Sequence, residues 1–332
     1  MLDLKQDWSK LPSRTTMQSE ARIRELDRPP SPDVQSKWDI PELVVVGAAV
    51  SGRIVQEGQE TRNFALDFDS FERAAVEAVQ AGAAFIHIDT GGIAAIMESG
   101  LSVPRIYDKL TSGIGQKLAA LDLDWVPDAN ILRGETFAEN LYPITAGLVE
   151  TAMMAPRFPL EWMEATAKAV DDSGCKLFLV IHTAAEVELA QRLILSKGLL
   201  TPPICWDVLI GYPYDETTNI QGTYIKHPRA MMDELALIVD RIREVDPDGF
   251  VMVNASGRAG HYLAVQAMLM GLHVRTGTED MAFRFPHKDE LIESNLETML
   301  RARMTAEVLG RRLATPDEYR QMIGLRPRSD NA

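Results

Sequence analysis

Eight apolar, strand-like runs alternate with helical segments along the chain. The first, residues 43–49, is almost continuously apolar, as expected of a parallel strand that is covered on both faces. Residues 67–80 follow it, with Phe71, Ala75 and Val79 at the spacing of one helix face. The other candidate strands are residues 85–88, 123–126, 142–145, 177–181, 204–210, 250–253 and 272–276.

Repeated strand–helix units of this kind predict an α/β fold, specifically a (β/α)8 TIM barrel rather than an open sheet. No Gly-x-Gly-x-x-Gly fingerprint follows the first strand, which argues against a dinucleotide-binding Rossmann fold. We assign the barrel to residues 41–325. Residues 1–40 are rich in proline and charge and are predicted to form an N-terminal arm, and residues 326–332 a C-terminal tail.

Polar side chains follow several of the predicted strands. In a TIM barrel the carboxyl ends of the strands carry the active site, so polar groups there predict one shared pocket. The candidates are Ser51 and Arg53 after the first strand, His87 and Asp89 on the second, His182 after the fifth, Ser256 and Arg258 after the seventh, and Arg275, Glu279 and Asp280 after the eighth. Two of them have structural alternatives, since His182 could be a hydrogen-bonded wall residue and Arg258 an anchor for its glycine-containing loop.

His87 and Asp89 stand two residues apart, so a strand places both side chains on the same face. Imidazole nitrogens and carboxylate oxygens are ordinary zinc ligands, and Glu279 would supply a third, leaving one coordination position open for a substrate. The spacing therefore predicts a metal site. For His87 alone, the alternative is a hydrogen-bonded core histidine.

Residues 271–280 end in a charged cluster of one cation, Arg275, and two adjacent carboxylates, Glu279 and Asp280. Strand alternation turns Arg275 to one face, and Gly277 frees the backbone to turn before Glu279 and Asp280. Three ionisable groups within six residues need either each other or a ligand. An ion pair at a strand end and a catalytic cluster are both open interpretations.

Several motifs fall in order along residues 43–325. They are Ala-Gly-Ala at 81–83 followed by His87 and Asp89, Gly257-Arg258, the run from His273 to Asp280, Glu293-Ser294-Asn295, Gly310-Arg311 and Ala314-Thr315-Pro316. In these motifs the chain resembles the beta-keto acid cleavage enzyme family, whose best-known activity is 3-keto-5-aminohexanoate cleavage. The resemblance implies a TIM barrel, a bound zinc ion and a homotetramer. It also implies a transferase of retro-Claisen type, in which a β-keto acid and acetyl-CoA give acetoacetate and a new acyl-CoA.

The resemblance also assigns roles to individual residues. It implies that His87, Asp89 and Glu279 are the metal ligands and that Arg275 and Asp280 form the catalytic pair. The predicted substrate-binding residues are Ser51, Arg53, His182, Ser256 and Arg258, the last as a contact for substrate or for a CoA phosphate.

The chain departs from the family pattern at several pocket positions. Asp89 stands where the family has a second His, Ile54 where it has the Glu that holds a substrate amine, His182 where it has an acid, and Met281 where it has an Asn. A His, Asp, Glu set is harder and more anionic than His, His, Glu, so Mn²⁺, Fe²⁺ and Mg²⁺ are candidates beside Zn²⁺. The loss of the acid favours a substrate without the amine. Together the changes predict a divergent member with its own substrate.

The formal net charge of −14 argues against nucleic acid as a partner, because a negative field repels phosphate backbones. No apolar run reaches the ~18 residues of a membrane span, and the first residues are polar, unlike a signal peptide. We therefore expect a cytoplasmic protein with small-molecule partners. Cys175 and Cys205 lie beside or within apolar runs without metal or redox spacing, which indicates packing residues.

Three functional hypotheses are open on these grounds. The first is a metal-dependent lyase or acyltransferase that acts on a β-keto acid, with or without acetyl-CoA. The second is a hydrolase that uses the same site to activate water on a related carbonyl compound. The third is a non-catalytic relative whose altered metal site has lost its function. Metal content separates the third from the others, and acetyl-CoA dependence separates the first two.

Overall fold

The computed structural model describes Ser9 and residues 36–52, 65–89, 94–212 and 222–328. Residues 1–39 and residues 40–332 are two separate units of the chain, and the elements described below belong to the second. Arg53 and Ile54, which the sequence analysis places at the pocket, lie outside the described residues, as does most of the predicted N-terminal arm.

Eight parallel strands close into a barrel. They are β2 (Val46–Ala49), β3 (Phe85–Ile88), β4 (Val126–Asn130), β5 (Thr151–Met154), β6 (Lys176–Ile181), β7 (Cys205–Ile210), β8 (Phe250–Ala255) and β9 (His273–Thr276). Each strand pairs with the next along the chain, and β9 closes the ring on β2, with Gly47 beside Arg275. The predicted TIM barrel is confirmed. A separate two-stranded sheet joins β1 (Leu43–Val44) to β10 (Arg312–Leu313).

Helices follow the strands around the outside of the barrel. In the described part of the chain they are α1 (Phe68–Gln80), α2 (Ala94–Met97), α3 (Val103–Ala119), α4 (Phe137–Thr145), α5 (Leu160–Ser173), α6 (Ala184–Leu193), α7 (Pro228–Val245), α8 (Gly260–Leu269), α9 (Asn295–Val308) and α10 (Pro316–Met322). The helix predicted over residues 67–80 is α1, and Asp67 caps it by accepting a hydrogen bond from the Ser70 backbone N–H. None of the helices within the described residues has the length and apolar character needed to cross a bilayer.

The strand predicted at residues 142–145 is wrong. These residues form the last turn of α4, which begins after Thr136 accepts a hydrogen bond from the backbone N–H of Glu139. The run is apolar enough to suit a strand, but the cap at Thr136 starts a helix that continues through it. The barrel strand of this unit is β5, which begins at Thr151.

Alternation along the strands sorts side chains between the barrel interior and the outer shell. On β3, Ile86 and Ile88 pack into the outer hydrophobic core, whereas Phe85 packs inside the barrel and His87 lines its cavity. The interior has an apolar floor and polar side chains nearer the carboxyl ends of the strands. The floor includes Phe85, Phe178, Phe250 and Met252, and the polar level includes His87, Asp128, Asp207, Asn254 and Arg275.

Helix α10 closes the amino end of the barrel. The ring of its Tyr319 lies 5.3 Å from the ring of Phe85, centroid to centroid. Arg320 is fully buried beside it and pairs with the carboxylates of Asp124, Glu150 and Asp317. With this end filled, the polar interior opens only toward the carboxyl ends of the strands in the described part of the chain.

Candidate active site

A cavity of about 480 Å³ lies at the carboxyl ends of the barrel strands. Side chains from six of the eight strands, or from the loops directly after them, line it. They include His87, Asn130, Met153, His182, Asp207, Arg275 and Glu279. Residues from distant parts of the chain therefore share one pocket, as the polar strand ends predicted.

Arg275 and Asp280 form a buried ion pair at one side of this cavity. The Nη2 nitrogen of Arg275 lies 3.2 Å from each carboxylate oxygen of Asp280, and Nε lies 3.3 Å from Oδ2. In the amide orientation that satisfies both of its polar atoms, Asn254 donates to Asp280 Oδ2 at 2.8 Å and accepts from Arg275 Nε at 3.0 Å. Burial alone would lower the pKa of Arg275, but Asp280 and other nearby carboxylates outweigh it and raise that pKa above its ordinary value.

His87 is held between two carboxylates. Its Nδ1 lies 2.5 Å from Asp128 Oδ2, and Thr151 fixes that carboxylate by donating to Oδ1 at 2.6 Å. The other ring nitrogen, Nε2, faces Glu279 Oε1 at 3.5 Å. Ser51 donates to the second oxygen of Glu279 at 3.1 Å. Burial raises the pKa of Glu279 to about 7.

Gly277 brings Glu279 to this position. Its φ of +143° is a conformation that side chains rarely adopt, and a Cβ at this residue would lie 2.0 Å from the carbonyl oxygen of Ala49. The close approach lets the backbone N–H of Glu279 donate to that same carbonyl at 3.2 Å. The predicted turn at Gly277 therefore depends on the missing side chain as well as on backbone freedom.

Asp89 accepts hydrogen bonds from two neighbouring side chains, Arg133 and Asn130. It is fully buried, and its carboxylate accepts hydrogen bonds from Arg133 Nε at 3.3 Å, Arg133 Nη2 at 3.4 Å and Asn130 Nδ2 at 3.2 Å. Within residues 36–52, 65–89, 94–212 and 222–328, no three His, Cys, Asp or Glu side chains converge closely enough to hold a metal ion. Of the three predicted ligands, His87 and Glu279 face each other at 3.5 Å, and Asp89 contacts Arg133 and Asn130.

The predicted substrate-binding residues are spread over different surroundings. His182 lines the cavity and contacts Glu186 through Nδ1 at 3.1 Å. Ser256 is fully buried, and its hydroxyl has no hydrogen-bond partner among the described residues. Arg258 is turned to another surface, where it donates to the Asp289 carboxylate and stacks on the Phe283 ring. The loop-anchor interpretation of Arg258 therefore describes its contacts in this structure.

The sequence pattern of the beta-keto acid cleavage enzyme family matches residues 43–325. The chain belongs to this family. The predicted membership is confirmed, and with it the prediction of an enzyme at the level of the family.

Two curated relatives share the name 3-keto-5-aminohexanoate cleavage enzyme. This family member is 41% identical over 160 residues to the one from Fusobacterium nucleatum, which covers 48% of this chain and 51% of the relative. It is 26% identical over 159 residues to the one from Acetoanaerobium sticklandii, which covers 48% of this chain and 52% of the relative. The chain therefore spans about half the length of the curated relatives it matches.

Among solved structures, the apo structure of ObcA is similar to this beta-keto acid cleavage family member. The TM-score is 0.62 at 16% sequence identity, over 79% of this chain and 66% of ObcA. A likeness at this identity concerns the barrel fold.

Sequence reasoning missed several residues of this family member that line the cavity or, like Asp128, contact a residue that lines it. Asp128 and Asn130 were missed because the predicted strand ended at residue 126, whereas β4 continues to Asn130. Asp207 lies inside the strand predicted at 204–210, where a single acid in an apolar run was the available signal. Arg133 and Arg157 lie in loops, and their positions depend on the closed barrel.

A divalent cation fits the donors at His87 and Glu279. Because Asp128 occupies Nδ1, the Nε2 nitrogen is left to face Glu279, which is the usual orientation of a carboxylate-supported metal ligand. Five carboxylates are buried in or beside the cavity, and within the described ranges Arg275 and Arg133 are the arginines that pair with them. These are Asp89, Asp128, Asp207, Glu279 and Asp280. A bound cation would balance part of this negative excess.

Proposed function

We propose that this protein cleaves a β-keto acid and transfers its acyl group to CoA, with acetyl-CoA as the second substrate and acetoacetate as the second product. One observation carries the proposal. Arg275, which is paired with Asp280, lines the same cavity as the His87–Glu279 pair, and His87 lies nearly 190 residues before Arg275 in the chain. Family membership supplies the reaction class.

The products define which bonds change. The bond between C2 and the C3 keto carbon of the β-keto acid breaks, and C2 forms a bond to the acetyl carbon of acetyl-CoA. The CoA sulfur leaves that acetyl carbon and bonds to the former keto carbon. A proton that leaves C2 to make it nucleophilic returns to C2 of acetoacetate, so the exchange needs no external oxidant, reductant or water.

Asp280 is the carboxylate that we assign to this proton. Two nitrogens of Arg275 and the Asn254 amide hydrogen-bond to this carboxylate, which fixes its position. Arg275 Nη1 donates only to the Met153 sulfur, at 3.2 Å, among the described residues. Because a thioether is a weak acceptor, this N–H is available for the carboxylate of the keto acid.

His87 and Glu279 would hold a divalent ion, with Asp89 as the third ligand predicted from the sequence. The ion, zinc by family resemblance and Mn²⁺, Fe²⁺ or Mg²⁺ as the alternatives, would polarise the keto oxygen and stabilise the enolate charge. Asp128 keeps the His87 ring oriented for this role, and Ser51 does the same for Glu279.

The mouth of the cavity carries groups suited to a second anion. Arg133, Arg157 and His182 line it, and Arg157 lies 3.2 Å from His182 Nδ1 and 3.0 Å from Glu186. Arg157 and Arg133 are partly exposed, so they are accessible to a carboxylate or a CoA phosphate. ObcA, which shares the barrel, has been solved as a ternary complex with a C4-CoA adduct and oxalate.

A panel of β-keto acids assayed with and without acetyl-CoA tests this function. We expect acetoacetate and a new acyl-CoA to form in equal amounts, and only when acetyl-CoA is present. Keto acid consumed at the same rate without acetyl-CoA would instead support the hydrolase. A protein that consumes no keto acid in any metal-loaded form would support the non-catalytic relative.

A further inference from the structure

One wall of the cavity at the carboxyl ends of the strands is apolar. It is formed by Met153 on β5, Val180 on β6 and Leu209 on β7, three strands that are consecutive in the barrel. The groups assigned to the reaction lie on other strands, among them His87 on β3 and Arg275 on β9. The proposed reaction gives Val180 and Leu209 no part.

Two side chains of this wall, Val180 and Leu209, expose apolar surface to the cavity. Each is partly exposed, although the residues before and after it on the same strand are better buried. Because both side chains line the cavity, the surface that they expose faces its interior. The reactive groups differ, since His87 is 2% exposed, Glu279 3% and Arg275 4%. An apolar ligand group that covers this wall would therefore gain binding free energy.

The wall adjoins the reactive groups at both of its edges. At one edge, the Met153 sulfur accepts a hydrogen bond from Arg275 Nη1 at 3.2 Å. At the other edge, Leu209 lies beside Asn254 in the β7–β8 register, and Asn254 lies beside Arg275 in the β8–β9 register. A keto acid whose carboxylate is bound by Arg275 Nη1 therefore lies directly against this wall.

The charged side chains near the wall are matched by opposite charges of the protein. Asp207 lies beside Val180 in the β6–β7 register, and the positive charge of Arg275 acts on its carboxylate. At the mouth of the cavity, two arginines are paired with carboxylates. These pairs are Arg133–Asp89 and Arg157–Glu186. A charged group on the acyl chain of a substrate would have to compete with these partners, whereas an uncharged chain would not.

We propose that Met153, Val180 and Leu209 bind the acyl side of the keto acid and select an uncharged aliphatic chain. This inference deepens the proposed function and rests on it for the reaction. It agrees with the expectation, drawn from Ile54, of a substrate without an amine. Each CH₂ group that the wall removes from water should strengthen binding about fourfold.

Calorimetric titration with reduced, non-cleavable analogues of β-keto acids tests this selectivity without turnover. The ligands for the zinc-loaded protein are 3-hydroxyhexanoate, 5-amino-3-hydroxypentanoate and 3-hydroxyglutarate. They share their first four carbons and then end in an uncharged, a positive or a negative group. The reference is 3-hydroxybutanoate, which stops at the fourth carbon. We expect 3-hydroxyhexanoate to bind roughly tenfold more tightly than the reference, and the two charged analogues no more tightly than the reference.

Two substitutions make the wall polar while keeping side chains of similar size. The Val180→Thr and Leu209→Asn proteins should each lose most of the gain for 3-hydroxyhexanoate. Unchanged binding of 3-hydroxybutanoate shows that the site of each variant is folded. Leu237→Asn is the matched control, because Leu237 is 45% exposed on α7, and this protein should keep the whole gain.

Three results would overturn the inference. The first is equal affinity of the unchanged protein for 3-hydroxyhexanoate and 3-hydroxybutanoate. The second is tighter binding of either charged analogue than of 3-hydroxyhexanoate, and the third is a gain that survives both wall substitutions. If 3-hydroxyhexanoate binds as expected while no keto acid is cleaved, the proposed function fails and the apolar subsite stands. If keto acids are cleaved while all four ligands bind alike, the function stands and the subsite fails.

Discussion

At the scale of single residues, buried carboxylates distinguish this cavity from a structural core. Asp128 accepts a hydrogen bond from Thr151 and contacts His87, whereas neither carboxylate oxygen of Asp207 has a hydrogen-bond partner among the described residues. A hydrogen-bonded carboxylate stabilises the fold or orients a ligand. A buried carboxylate without a hydrogen-bond donor lowers the stability of the folded protein, and residues that act on a ligand commonly lower stability in this way.

Removing the Asp207 charge should stabilise the unliganded protein in a pH-dependent way. Burial raises the pKa of Asp207 from 3.8 to about 6, so the folded protein binds this proton more tightly than the unfolded chain. The cost is therefore absent below pH ~4 and complete above pH ~6. We expect Asp207→Asn to raise the free energy of unfolding by up to about 3 kcal/mol at pH 7.5 and to have little effect near pH 4.

Urea unfolding curves of the two proteins at both pH values measure this difference. Asp172→Asn serves as the control, because its carboxylate is 62% exposed and its removal should change stability little at either pH. A gain at pH 7.5 that persists unchanged at pH 4 would contradict the assignment of the effect to the Asp207 charge.

Glu279 is the residue on which the metal prediction depends most. Its Oε1 oxygen faces His87 Nε2, and the two side chains come from opposite ends of the barrel sequence. We expect Glu279→Gln to lose the metal and the activity together, with at least a hundredfold lower turnover, because an amide is a much weaker ligand than a carboxylate.

Elemental analysis beside the acetoacetate assay checks this expectation. Glu293→Gln is the matched control, since Glu293 is 77% exposed and lies on the loop before α9. Retention of metal and turnover by the Glu279→Gln protein would refute the ligand assignment.

At the scale of elements, the site depends on how β9 leaves the barrel. Gly277 passes so close to Ala49 that no side chain fits, and the turn then places Glu279 in the cavity lining and Asp280 against Arg275. The sequence could predict a turn here because glycine after a strand is a known signal. It could not predict the contact with Ala49, because that requires β2 and β9 to be neighbours.

Gly277→Ala should therefore disrupt the site more than a positive φ alone would. The added Cβ would meet the Ala49 backbone at 2.0 Å, and the backbone shift that relieves it would move Glu279. We expect a loss of activity of at least a hundredfold, measured by the acetoacetate assay, together with a lower Tm.

Gly147→Ala provides the comparison. Gly147 has a φ of +66° but no atom within 4 Å of the added Cβ, so this substitution tests backbone strain without a clash. It should lower stability by about 1 kcal/mol and leave activity per folded molecule unchanged. Similar activity losses in both proteins would argue against the close-approach explanation.

Strands were predicted correctly where the sequence has an apolar run. They were predicted wrongly where a helix cap before the run, or the pairing of neighbouring strands, determined the secondary structure. The run at 85–88 matches β3. The run at 142–145 lies in α4 because Thr136 starts a helix before it. His87 could be predicted as a site residue from its spacing to Asp89. Its partner Asp128 could not be predicted, because the two residues are neighbours only through the pairing of β3 with β4.

At the scale of the whole molecule, the candidate active site and the packed end of the barrel are on opposite sides. The carboxyl end holds the polar cavity, and the amino end is filled by α10 with Tyr319 and Arg320. Sequence periodicity predicted the barrel, but not which segment fills its amino end. That segment belongs to no strand–helix unit of the repeating pattern.

Arg320→Ala should lower stability without lowering activity per folded molecule. Arg320 is 0% exposed and pairs with three partly exposed carboxylates, so its removal leaves three clustered negative charges without their buried cation. We expect a loss of about 3 to 5 kcal/mol in the free energy of unfolding, measured by urea denaturation.

Arg328→Ala is the matched control, because Arg328 contacts Asp124 and Glu150 as well but is 54% exposed. Its removal should cost less than about 1 kcal/mol. Equal losses for the two arginines would show that burial does not decide the contribution.

The position of α10 also has a consequence for synthesis on the ribosome. Tyr319 packs on Phe85 of β3, and Arg320 joins Asp124 and Glu150 near the starts of β4 and β5. The early strands emerge from the exit tunnel long before these contacts are available. Nascent chains must therefore keep an unfinished barrel floor, exposed to chaperones and proteases, until residues 316–323 have been translated.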